Sequence, residues 1–132
     1  MTALIEISGI LLILLAFLHA VFPRYFNWRR ELAGLSLINR QIMWVHTFFI
    51  ALILFLMGLL CITSAHALQN TELGKKISLG LSFFWATRLF IQFFGYSSRL
   101  WKGKLFETAI HVLFSILWLY LALVFAICAG TT

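Results

Sequence analysis

Four long apolar runs divide the chain, over residues 3–22, 42–63, 77–96 and 105–129. Each has about 20 residues, the length a helix needs to cross the hydrocarbon of a bilayer. Short polar segments separate the runs. No proline falls inside any of them, and Pro23 stands directly after the first, where it reads as a stop. There is no internal repeat. The pattern predicts an all-α integral membrane protein, an up-down four-helix transmembrane bundle forming a single transmembrane domain over residues 1–132.

The segment 23–41 is too long for a tight turn. Trp28, Leu32, Leu35 and Ile38 recur at helical spacing against Arg29, Arg30 and Glu31, which predicts a short interfacial helix or an anchored linker. Gly34 and Ser36 weaken or end that helix, and Asn39 is the expected N-cap of the second long helix.

Composition strengthens the membrane reading. The chain is 63% hydrophobic and 11% charged, whereas soluble domains are roughly half apolar and a quarter charged. The net charge of +6 does not point to nucleic acid, because the basic residues sit in the short connections. Arg24, Arg29, Arg30 and Arg40 lie between the first and second runs, and Arg99, Lys102 and Lys104 between the third and fourth. Lys75 and Lys76 lie on the opposite side. The positive-inside rule places the richer loops in the cytoplasm. Both termini are then outside (N-out and C-out), and the expected location is a bacterial inner membrane. The charge bias argues against a dual-topology protein of the small multidrug exporter kind. Tyr25, Trp28, Trp44, Tyr96 and Trp101 gather near the same interface, where amphipathic rings prefer to sit. The N-terminus lacks a basic region and carries Glu6, so it reads as a retained helix rather than a cleaved signal. Cys61 and Cys128 read as small membrane residues. A disulfide between them requires that they share a side and meet.

The polar residues within the runs are the candidate chemistry. Counting about 1.5 Å per residue from the nearest basic residue puts His19 about 7 Å deep, His46 about 9 Å, and His111 and Gln92 about 10 Å. The four come from four helices and fall in one predicted layer. Three histidines at one depth suit a transition metal, with His19, His46 and His111 as ligands, and two facing histidines suit a haem b iron instead. Glu107 would be a fourth ligand or would orient His111. Glu107, His111 and Ser115 follow at i, i+4, i+8, and Ala122 and Ala126 are expected to continue that face.

Arg88 lies near mid-bilayer, about 16–18 Å from either face by helical rise. A charge there costs about 2.5–3.5 kcal/mol even on lenient scales. Snorkelling one turn brings it to the layer of Gln92 and His111, and Trp85 is the expected cation–π partner. Arg88, Gln92 and Trp85 are therefore candidate ligand-binding residues for an anionic lipid headgroup, a quinone oxygen or a small anion.

Several chemistries lack their residues. There is no CxxC, phosphate loop or nucleophile elbow, and there is no aspartate anywhere in the chain. No run is broken mid-membrane as in transporters with discontinuous helices. Three functional classes remain. One is a metal-, haem- or anion-binding redox or lipid/quinone-related module with its site in the cytoplasmic half. Another is a structural or accessory subunit of a larger membrane complex. The third is a small homo-oligomeric transporter.

Overall fold

The structure is a computed structural model and describes residues 1–95 and 103–130. The described chain is helical: α1 (Thr2–Tyr25), α2 (Trp28–Glu31), a 3-10 turn (Leu32–Gly34), α3 (Leu37–Thr63), α4 (Ala65–Asn70), α5 (Glu72–Phe94) and α6 (Leu105–Gly130). Four of these, α1, α3, α5 and α6, are long and apolar enough to cross a membrane. Tyr96, Arg99, Trp101 and Lys102, which entered the orientation and belt arguments, lie outside the described residues.

The helix ends differ from the apolar runs in instructive ways. α1 does not stop at Pro23 but runs two residues past it. Proline removes only its own N–H, and Phe26 still closes onto the Phe22 carbonyl at 2.9 Å. The stop comes at Asn27, whose backbone is left-handed (φ 54°). The N-cap of α3 is Ser36 rather than Asn39: the Ser36 hydroxyl accepts from the Asn39 N–H. α5 begins five residues before its apolar run, because Thr71 caps it by accepting from Gly74 N–H at 2.9 Å. Helix formation there is set by the cap, and the hydrophobic run begins only after Lys75 and Lys76.

The helices fall into two compact units, one of Ile5–Ala65 and one of Met1–Leu4 with His66–Thr132. In the first, α1 and α3 are antiparallel and meet closely through glycine. A Cβ placed on Gly9 would lie 2.7 Å from the Gly58 carbonyl oxygen, and one on Gly58 would lie 2.7 Å from that of Gly9. Small residues let the two backbones approach this far. Phe17 meets Phe55 edge-on one to two turns further along. Trp28 of α2 is buried against Trp44 of α3, ring centroids 5.4 Å apart, which pins the short helix down.

In the second unit α5 and α6 form an antiparallel pair. Ser78 lies beside Cys128, Ser82 beside Ala122, Trp85 beside Trp118, and Gln92 beside His111. The buried face of α6 is Trp118, Leu121, Ala122, Val124, Phe125 and Cys128. Ala126, expected on it, is exposed, because each step of four residues overshoots a full turn by about 40° and the stripe drifts off the contact. The end of α6 is tied by two small polar contacts: the Ser78 hydroxyl donates to Cys128 Sγ (3.2 Å), and the Cys128 thiol donates to the Leu68 carbonyl (3.4 Å). Both cysteines are buried, and neither forms a disulfide. On α5 and α6, Phe83, Phe90, Phe94, Leu113 and Ile116 are exposed.

Candidate functional site

One polar cluster is built into the α5–α6 pair. Gln92 is its hub, with 7% of its surface exposed. Its Oε1 accepts from Arg88 Nη1 (3.4 Å) and from the Trp118 indole N–H (3.3 Å). Its Nε2 donates to His111 Nδ1 (3.1 Å) and, at 3.4 Å, to the His111 carbonyl. All four hydrogen-bonding positions of the amide are used. Arg88 and tryptophan can only donate, so the amide orientation is chemically fixed: the oxygen faces them and the nitrogen faces His111. That fixes His111 as well. Its Nδ1 carries the lone pair, and its hydrogen sits on Nε2. The Ser115 hydroxyl donates to the His111 carbonyl at 2.8 Å, and Phe93 meets the imidazole edge-on.

Rings floor the cluster. The Arg88 guanidinium carbon lies 4.9 Å from the centroid of the Trp118 ring, within cation–π range. Trp118 stacks on Trp85 (5.2 Å, 8° between planes) and on Phe114 (5.6 Å, 18°). The Arg88 guanidinium thus lies over a ring of α6, Trp118, which the spacing within α5 did not suggest. The Trp85 ring is committed to the stack between the two helices, and Arg88 reaches across to α6. Trp85 is only 2% exposed, and its indole N–H is buried without a hydrogen-bond partner, the one such side-chain atom among the described residues.

Arg88, Gln92, His111 and Trp85 are therefore brought together. Trp118 joins them and was not singled out from the sequence. His111, Ser115 and Trp118 are spaced i, i+4, i+7, the signature of one helical face, and extending the stripe by three rather than four would have found it.

The other candidates stand elsewhere. Glu107 is exposed in the first turn of α6, and the group oriented against His111 Nδ1 is the Gln92 amide, not this carboxylate. His19 and His46 belong to the α1–α3 unit. The His19 Nδ1–H donates to the Leu15 carbonyl (2.9 Å), and that of His46 to the Ile42 carbonyl (3.0 Å), each in its own helix. Gly58 lies beside Ile13 and Phe55 beside Phe17, so His19 is level with about residue 53 of α3. His46 is about seven residues further along, some 10 Å away on the axis. The common layer of these two dissolves because α1 runs past Pro23 and α3 starts before Arg40, so the arginines do not mark equal depths.

Among the described residues, no three His, Cys, Asp or Glu side chains are gathered as a metal-ligand group. Compared with known protein families, curated proteins and solved structures, the chain matches none.

Proposed function

We propose that the protein is a small integral membrane protein whose α5–α6 pair holds an embedded binding site for a hydrogen-bond-accepting ligand. Such a ligand presents a carboxylate, a phosphate or a quinone-type carbonyl. The observation that carries this reading is the buried Trp85 indole N–H, which has no acceptor. Inside a bilayer no water offsets such a group, and burying a polar group unpaired costs on the order of 1–3 kcal/mol. The surrounding groups are also rich in donors. The acceptors are already engaged: Gln92 Oε1 serves Arg88 and Trp118, and His111 Nδ1 serves Gln92 Nε2. The Arg88 guanidinium, half-buried beside Gln92, has a planar fork that matches carboxylate, phosphate and carbonyl oxygens. The proposed orientation is N-out and C-out, with the site in the cytoplasmic half.

A second reading has its own support. Gln92 bridges α5 and α6 with every hydrogen-bonding position filled, as a residue does when it only holds helices together. The readings separate on gently purified protein. Solvent extraction followed by mass spectrometry should recover a near-stoichiometric acidic or carbonyl-bearing molecule from wild type and much less from Arg88→Ala. Extracts identical to a detergent blank, with wild type and variant alike, favour the structural role.

A further inference from the structure

We propose that the connection between α1 and α3 is a docking site for the phosphate headgroup of an anionic phospholipid. This proposal uses none of the residues of the Arg88 cluster and does not depend on it. Four arginines are held at this end of the α1–α3 pair. Arg24 lies in the last turn of α1, Arg29 and Arg30 in α2, and Arg40 in the first turn of α3. A single carboxylate in the segment, Glu31, opposes them. Arg24, Arg29 and Arg30 are exposed and Arg40 is half-buried.

The segment is a built turn rather than a loose linker. Asn27 is left-handed. Its N–H donates to the Arg24 carbonyl (3.3 Å), and its own carbonyl accepts from Arg30 (3.1 Å) and Glu31 (2.9 Å). Trp28, buried on Trp44, anchors α2 about one turn from Arg40. The backbone that carries Arg29 and Arg30 is therefore a fixed frame.

The same segment exposes Tyr25, Phe26, Leu35, Leu37 and Ile38. Cations beside exposed aromatic and aliphatic side chains fit the boundary between headgroups and acyl chains, and the positive charge selects an anionic lipid there. The choice of base sharpens the partner. All four cations are arginine, whose fork can hold two phosphate oxygens at once, whereas lysine offers a point charge. The start of α5 carries lysines instead, and Lys76 there faces Glu72 at 3.7 Å.

The test uses the full-length protein in detergent with added phosphatidylglycerol or phosphatidylcholine of identical acyl chains. Retained lipid is read by native mass spectrometry, and the unfolding midpoint by thermal shift. Wild type should retain phosphatidylglycerol preferentially and unfold several degrees higher with it, and excess inorganic phosphate should not displace it. Each basic residue near an anionic surface is worth roughly fivefold, so Arg29→Gln with Arg30→Gln should lower the preference by an order of magnitude. Arg29→Lys with Arg30→Lys keeps the charge and the fold and should still lose several-fold. Lys75→Gln with Lys76→Gln should retain the preference. The proposal is overturned if wild type holds both lipids equally, if the double lysine variant matches wild type, if the Lys75/Lys76 variant loses as much as the Gln variant, or if inorganic phosphate displaces the lipid.

Discussion

The side-chain amide of Gln92 donates to Nδ1 of His111 across the α5–α6 contact at 3.1 Å. Because two obligate donors, Arg88 and the Trp118 indole, occupy the amide oxygen, the imidazole hydrogen belongs on Nε2. One glutamine thus sets the tautomer of one histidine and the position of one arginine.

Replacing Gln92 by glutamate tests that chain of consequences. A carboxylate offers only acceptors. The oxygen facing His111 would then accept, and the imidazole must move its hydrogen to Nδ1. The nitrogen chemical shifts of the His111 ring should change from the Nε2–H pattern to the Nδ1–H pattern. Gln92→Ala should instead strand the Trp118 N–H and cost about 1–3 kcal/mol of thermal stability, more than the ~0.6 kcal/mol of an average interhelical hydrogen bond in a membrane.

The α1–α3 contact predicts unequal glycines. At Gly9 an added methyl would press on the Gly58 backbone oxygen at 2.7 Å, and a carbonyl cannot rotate away as a side chain does. Gly9→Ala should destabilise by about 1–3 kcal/mol. Gly80 on α5 has nothing within 4 Å of its would-be Cβ. Gly80→Ala should be neutral or stabilising by up to about 1 kcal/mol. Thermal unfolding in a single detergent checks the ordering.

Capping separates two neighbouring polar residues. The Ser36 hydroxyl accepts from the Asn39 N–H at the start of α3, so Ser36→Ala should cost about 0.5–2 kcal/mol. Asn39 contributes a backbone donor to the cap, and Asn39→Ala should cost much less. Amide hydrogen exchange over the first turn of α3 should rise in the Ser36 variant alone.

How far the sequence carried the reading depended on the range of the interaction. The four long helices were legible because apolar run length is a local property. Arg88 and Gln92 sit at i, i+4 on one helix, and His111 lies at matching depth on the adjacent antiparallel helix, so that grouping was legible too. Helix ends were less so: Pro23 looks like a stop but costs only one donor, and Ser36 and Thr71 start helices outside the apolar runs. The depth count for His19 and His46 relied on those ends. Trp118 as the platform for Arg88 needed the register between α5 and α6, which is a tertiary property.

The Trp85 indole N–H tests the embedded site most directly, since its missing acceptor is the reason for proposing a ligand. Its proton–nitrogen resonance, assigned by Trp85→Phe, should be followed in nanodiscs during titration with decanoate and with a short-tailed ubiquinone. An acceptor binding in this cluster predicts a saturable downfield shift of that resonance with at least one of the two probes, abolished in Arg88→Ala. A Trp85 resonance that stays in place through both titrations would contradict the site.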